Sequence, residues 1–458
     1  MKKVYILFIV GLVICFSIKA QVVNPFGKAL VPDMIADASI VEIDGTFYCY
    51  ATTDGYDQGL KTSGPPVVWK SKDFLHWSFN GTYFPSAKDQ LYWAPSKVIP
   101  ANGKYYIYPT INGHMYPAVA DSPEGPFRLA RGKDEFHLPY TSSTLLQGKD
   151  RYGIDAEIFI DDDGQAYAFW GGRKVTKLGT DMITLDSIHT LTTPHKEYSE
   201  GPIFFKRKGI YYYLYTIGGD EKYQYAYMMS KVSPFGPYEY PKEDIISTTN
   251  YDIGLYGPGH GCVFNLQGTD SYYFAFLEFG RRSTNRQTYV NKIIFNKDGT
   301  IQPIKVTMEG VGALRKEKHP KPLKVKAITT SSIMSPLKIE HMKDSLFHRT
   351  EYFDPSFIVD KANGSRWMAA EDDYNAWVTL DLGKVRKVHG SDIYFVRPTA
   401  GHAYKIETSD DGYQWNVFCE QKEKRMQSPH SDQLNLKCRY IRVWITEGLA
   451  GIWEWNIY

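Results

Sequence analysis

Three acidic residues stand at matching places in the chain. Asp37 lies in Ile35-Ala-Asp-Ala-Ser-Ile40, Asp155 in Gly153-Ile-Asp-Ala-Glu-Ile158, and Glu200 in Ser199-Glu-Gly-Pro202. Each sits among small or apolar residues just ahead of a turn, where an unpaired carboxylate is costly to bury. A poorly solvated carboxyl has a raised pKa, which suits it to give up a proton near neutral pH. Glu200 is the first candidate for a general acid. Pro202 lacks a backbone donor and so places Glu200 at a strand start or rim. An apolar stretch, a turn ending at Gly209 and an aromatic strand from Tyr211 to Tyr215 follow it. Any one of these acids alone reads as a cap, a turn residue or a satisfied buried group. Three at equivalent positions of a repeat read as machinery.

The repeat that would position them is a turn followed by an aromatic strand. It occurs at Asp44-Gly-Thr-Phe-Tyr-Cys-Tyr50, Asn102-Gly-Lys-Tyr-Tyr-Ile-Tyr108, Asp163-Gly-Gln-Ala-Tyr-Ala-Phe169, Lys208-Gly-Ile-Tyr-Tyr-Tyr-Leu214 and Thr269-Asp-Ser-Tyr-Tyr-Phe-Ala275. Intervals of roughly 45 to 60 residues match a four-stranded sheet with its turns. Ser122-Pro-Glu-Gly-Pro-Phe127 and Ser233-Pro-Phe-Gly-Pro-Tyr238 repeat the same turn chemistry. The fold class is therefore all-β, with a five-bladed β-propeller over 21–315. The first strand of each blade lines a central channel, so the three acids converge there. Residues 316–345, rich in Lys and then Thr and Ser, read as a linker. Strand alternation resumes in Trp377–Leu382, Ser391–Val396 and Tyr440–Ile445, which predicts a smaller β-sandwich over 346–458. Tryptophans 367, 377, 415 and 453 fall within strand patterns and read as core.

Bulk properties agree with two domains and a sugar-handling chain. At 458 residues the chain exceeds what one core usually fills. With 53 Lys plus Arg against 51 Asp plus Glu, a nucleic-acid partner is not indicated. Aromatic residues make up 15%, with 35 tyrosines; they favour pleated sheet and stack on sugar rings. Residues 1–20 read as a secretory signal: two lysines precede an apolar run, Val4 to Ile18, too short for a membrane span. The expected location is secreted or periplasmic, with lipid anchoring at Cys15 the lesser alternative. Of the remaining cysteines, Cys419 and Cys438 lie in one late β-rich segment as a candidate pair, and Cys49 and Cys262 read as buried thiols. No Cys/His spacing suggests a zinc site.

From about residue 24 to 315 the sequence resembles glycoside hydrolase family 43. The resemblance rests on Ala36-Asp37-Ala-Ser-Ile40, Trp93-Ala-Pro-Ser96, Ile154-Asp155 with Asp161-Asp-Asp-Gly164, Glu200-Gly-Pro202 and Gly257-Pro-Gly-His-Gly261. It implies Asp37 as general base, Glu200 as general acid, and Asp155 as the residue that orients the acid and keeps it protonated. It implies a single displacement with inversion, in which carboxyls about 6.5 to 9.5 Å apart leave room for water. Arg286 and Trp93 would be substrate-binding, as would His260; a structural calcium near His260 is compatible with the resemblance, and no cofactor is required. Glu278 departs from the family's usual pattern and weakens any transfer of sugar specificity. From Asp354 to Tyr458 the chain resembles a discoidin-like, coagulation-factor type C module. The expected activity is release of terminal α-L-arabinofuranosyl units from an oligo- or polysaccharide, with β-D-galactofuranose, β-D-xylose and β-1,3-linked galactose as alternatives. The rival of another class is a non-catalytic carbohydrate-binding propeller, to which a poorly solvated acid facing a base would be useless.

Overall fold

A computed structural model describes residue 24 and residues 26–56, 62–84, 90–130, 153–279, 281, 285–340 and 348–458. The signal segment 1–20 and Cys15 lie outside the described residues. Five antiparallel sheets follow one another along the first two thirds of the chain. Blade 1 is Ile35–Ile43, Thr46–Thr53 and Val68–Ser71; blade 2 runs from Ile99 to Leu129, blade 3 from Glu157 to Thr190, and blade 4 from Ile203 to Ser247. Blade 5 is Gly259–Asn265, Tyr272–Glu278 and Gln287–Ile293. The recurring turn explains the recurring sequence. Asp44-Gly45, Asn102-Gly103 and Lys208-Gly209 all have positive φ at both positions. Two such residues match the right-handed twist of the strands they join.

The aromatic strands after these turns fill the space between blades. Phe169 and Phe204 stack at 4.1 Å between blades 3 and 4, and Tyr225 meets Phe274 at 5.2 Å between blades 4 and 5. Ring closure falls to the N-terminal segment. Lys28 N–H donates to Met308 O (2.6 Å), Leu30 N–H to Thr288 O (2.8 Å), and Tyr289 Oη to Phe26 O (2.6 Å). Residues ahead of blade 1 thus latch onto blade 5.

The second unit is a β-sandwich whose largest sheet is built on the long strands Trp377–Phe395 and His430–Glu447. Its sheet starts earlier than the expected boundary of 346. Ala327–Thr330, inside the stretch read as linker, pairs with Val378–Asp381, because its backbone donors and acceptors meet an otherwise open strand. Two further readings need correction. Trp367 and Trp453 are buried, but Trp377 and Trp415 are partly exposed: they flank the Arg442 guanidinium, which sits 3.8 Å from the Trp415 ring and is ion-paired to Glu407. A charged residue at that register keeps this face wet. Cys419 and Cys438 are free rather than bridged; Cys438 opposes Arg386 in the sheet while the Cys419 thiol faces Asp432 (3.3 Å). Cys49 and Cys262 are buried free thiols.

The sandwich packs on blades 1 and 5. Met34, just ahead of the first strand, is buried with Phe353, Met368, Val396 and Trp453 of the sandwich. Beside it lies a buried ion network: Arg281 reaches Glu351 (3.3 Å) and the Gly364 carbonyl (2.6 Å), and Arg366 also binds Glu351 (2.7 Å). Glu278 belongs here rather than in the channel, facing Arg349 of the sandwich at 3.7 Å. Among the described residues no helix is long and apolar enough to cross a membrane. Removing one member of a buried charge network leaves the others uncompensated, at a cost of about 3–5 kcal/mol. Arg281→Ala is expected to lower the denaturant midpoint accordingly; a change within experimental error would show that the network does not hold the two units together.

Candidate active site

Each channel side chain is delivered by an irregularity at the start of an inner strand. Asp37 has φ 53° and lies in a β-bulge between Ala36 and Ser39 of blade 1. His260 occupies a second bulge, between Gly259 and Gly261 of blade 5. Asp155 has φ 62° just ahead of the inner strand of blade 3. A bulge re-aims a side chain that regular alternation would send elsewhere, and Asp tolerates the left-handed conformation better than most residues. Glu200 precedes the inner strand of blade 4, pinned through its own backbone. Its N–H donates to Thr216 Oγ1 (2.9 Å), and that hydroxyl donates to the Glu200 carbonyl (2.7 Å).

The glycines around these acids are required by proximity. At Gly201, where φ is 61°, a Cβ would stand 3.0 Å from the His260 ring; at Gly261 it would stand 2.0 Å from the Ala275 carbonyl.

The acids expected to converge do so. His260 Nδ1 lies 3.6 Å from Asp37 Oδ1 and 3.7 Å from Asp155 Oδ1, and Arg286 Nη1 lies 3.6 Å from Asp37 Oδ1. Asp37 Oδ2 accepts from Thr52 Oγ1 (2.7 Å). Asp155 Oδ2 accepts from the Gly201 N–H (3.1 Å), which ties blade 3 to the residue after Glu200. Glu200 Oε1 accepts from Tyr223 Oη (2.6 Å). Burial, with Asp155 next, pushes the Glu200 carboxyl up to about 7; His260 and Tyr223 oppose the rise. Burial followed by the Asp37 charge pushes Asp155 up to about 7 as well. The pair therefore shares its protons near neutrality rather than titrating as two independent acids.

Arg286 is clamped by an acid that sequence reasoning missed. Asp54 Oδ2 accepts from the Arg286 backbone N–H (2.7 Å) and Nε (3.1 Å), and its Oδ1 accepts from Nη2 (2.8 Å). Both side chains are buried. Thr52, Asp54 and Tyr223 carried no signal: Asp54-Gly55 reads as an ordinary turn, and Tyr223 is one tyrosine among many. The Lys97–Glu157 ion pair beside Asp155 was missed for the same reason. Trp93 is partly exposed, and the next residue, Ala94, donates its N–H to Thr52 Oγ1 (2.8 Å), so one hydroxyl connects Trp93's segment to Asp37. Calcium prefers six to eight oxygen ligands. His260 offers nitrogen, and the carboxylate oxygens it faces belong to the acids themselves; this donor set does not form a calcium cage.

Two buried carboxyls and a half-buried one, with a clamped guanidinium and an imidazole beside them, form a group that can hold an acid protonated near neutrality. The family model described as glycosyl hydrolases family 43 matches residues 24–301, and that of the F5/8 type C domain matches 337–457. A β-D-galactofuranosidase of Aspergillus niger is 31% identical over 313 residues, covering 62% of this chain and 86% of that protein. An arabinoxylan arabinofuranohydrolase of Paenibacillus polymyxa is 26% identical, covering 61% of this chain but only 51% of the relative. A solved structure described as a glycoside hydrolase superposes with TM-score 0.93 at 71% identity, covering 95% of this chain and all of that one (100%).

The raised Glu200 pKa has a consequence for stability. The folded chain holds this proton more tightly than the unfolded chain, so the carboxyl's favourable contribution is present in acid and is lost as the pH rises from the ordinary glutamate value of 4.5 to about 7. Glu200→Gln, which keeps an acceptor for Tyr223, is expected to be more stable than wild type at pH 8, by about 1–3 kcal/mol. The difference should vanish below about pH 4.5; thermal melts across this range measure it, and a pH-independent difference would refute the assignment.

Proposed function

The chain belongs to glycosyl hydrolases family 43, whose model spans more than half of it, and from that premise we propose a secreted, inverting exo-glycosidase that removes terminal α-L-arabinofuranosyl units from plant-type glycans. The observation that carries the reading is the division of the channel carboxyls into two environments. Asp37 lies against Arg286 and accepts from Thr52 Oγ1. Glu200 is held protonated near neutrality by burial and by Asp155. With Tyr223 donating to Oε1, Oε2 is the oxygen that would carry the proton toward a leaving group.

The proposed reaction is one displacement. Asp37 takes a proton from water as the oxygen attacks the anomeric carbon, and Glu200 gives its proton to the departing glycosidic oxygen. Configuration inverts, and the two carboxyls end with exchanged protonation. Asp155 acts through Glu200, by charge and by holding Gly201. Arg286, Trp93 and His260 would contact the sugar from the channel wall. The apolar run after Lys2-Lys3 supports export.

A second reading, β-D-galactofuranosyl release, is favoured by the Aspergillus niger relative. The two sugars share ring stereochemistry and differ by one hydroxymethyl extension, so one pocket contact decides between them.

The test is a panel of aryl α-L-arabinofuranoside, β-D-galactofuranoside, β-D-xyloside and β-D-galactoside. Asp37→Asn is expected to lose about 10³-fold or more on whichever substrate wild type cleaves. Glu200→Gln should lose far less on a dinitrophenyl glycoside, which needs no acid, than on a natural linkage. Wild-type turnover should fall above about pH 7 as Glu200 deprotonates. Failure of all four substrates, or a retained anomeric configuration by NMR, would sink this reading.

A further inference from the structure

Among the described residues, Asp73, His76 and His319 form a group whose donor atoms all lie within 4.8 Å of one another. Asp73 and His76 belong to the turn that follows the last strand of blade 1, and His319 comes from the Lys-rich stretch that leaves the propeller. His76 Nδ1 is 2.7 Å from Asp73 Oδ2, and His319 Nε2 is 3.0 Å from the same oxygen. The two imidazole rings lie 3.8 Å apart, centroid to centroid. The Asp73 side chain is 4% exposed, while those of His76 and His319 are 44% and 35% exposed, so solvent reaches the group from the histidine side.

The other carboxylate oxygen is already committed. Asp73 Oδ1 accepts from Ser71 Oγ (3.0 Å) and from the backbone N–H of Leu75 (2.9 Å) and His76 (2.9 Å). The carboxylate is thereby fixed with only Oδ2 presented to the imidazoles. The Asp73 carbonyl accepts from the N–H of Leu314 (2.8 Å), which brings the departing chain past the turn so that His319 can fold back over it.

We propose that Asp73, His76 and His319 bind a borderline divalent transition metal, of which Zn2+ is the type, and that the ion clips the segment leaving the propeller to blade 1. Two imidazole nitrogens and one carboxylate oxygen are the donor set that suits such an ion, with a fourth position open to water. A tetrahedral ion with bonds of about 2.0–2.2 Å spaces its ligand atoms about 3.3–3.5 Å apart. The two Asp73–imidazole spacings of 2.7 and 3.0 Å need to open by only about half an ångström, and the two ring nitrogens, within 4.8 Å of each other, adjust by side-chain rotation of the partly exposed histidines. The site shares no residue with the channel.

The test uses the full chain, stripped with chelator and titrated with Zn2+ by calorimetry. One equivalent is expected to bind and raise the thermal midpoint, and binding should weaken by about 100-fold in His76→Ala and in His319→Ala. Co2+ in place of Zn2+ should give intense visible bands of a tetrahedral site, lost in the same variants. His319→Gln keeps a donor to Asp73 but removes the ligand nitrogen, so it too should lose the metal while its circular dichroism overlays on wild type. Absence of binding, or binding undiminished in the His319 variants, overturns the proposal. Hydrolysis at one equivalent of Zn2+ should equal that of the stripped protein, which separates this site from inhibitory binding at His260.

Discussion

The site is organised around the desolvation of the Glu200 and Asp155 carboxyls, which the charges beside them reinforce. Burial raises both, with Asp155 the next cause for Glu200 and Asp37 the next for Asp155, so protons are held on these two groups near neutrality. Asp37 is the acid that the surroundings compensate, through Arg286 and Thr52. Asp54 clamps Arg286 through two guanidinium donors and the backbone N–H. The guanidinium so held stands 3.6 Å from Asp37 Oδ1, outside a tight ion pair.

The cost of this arrangement is carried by backbone and packing. Asp37 and Asp155 both sit at positive φ, of order 1 kcal/mol or more each for a residue with a Cβ. Such conformations persist only where the surroundings over-determine them. Blade 1 is held from both sides: the N-terminal segment is bonded to blade 5, and Met34 is buried beneath the sandwich. The second domain therefore braces the strand that presents Asp37. Glu278 makes sense in this light, since a buried acid on blade 5 is matched to Arg349 across the domain junction.

Asp54 extends the same logic. It is buried, its N–H donates to the Met34 carbonyl (2.9 Å), and it fixes Arg286. The residue that the sandwich covers and the residue that clamps the arginine are thus joined by one backbone hydrogen bond. Activity and domain docking draw on the same few contacts of blade 1 with its neighbours.

The sequence by itself determined the repeat and the acids. Asp-Gly and Asn-Gly turns fix hairpins locally, aromatic strands after them declare blades, and a carboxyl among small apolar residues is conspicuous wherever it falls; Asp37, Asp155 and Glu200 were legible for that reason. Which groups hold those acids was not. Thr52 meets Asp37 across the hairpin of blade 1 and Tyr223 reaches Glu200 within blade 4, while only ring closure brings Asp54 of blade 1 to Arg286 of blade 5. The same holds for Cys419 and Cys438, whose closeness in sequence suggested a bridge that sheet register denies, and for Trp377 and Trp415, whose strand pattern hid a facing arginine. Ala327–Thr330 carries three β-branched residues, but it follows a Lys- and Pro-rich stretch, and only its pairing with the open edge at Val378–Asp381 makes it a strand. Local chemistry is written residue by residue, whereas proton placement and pairing depend on distances between segments far apart in the chain, and those distances exist only once the chain is folded.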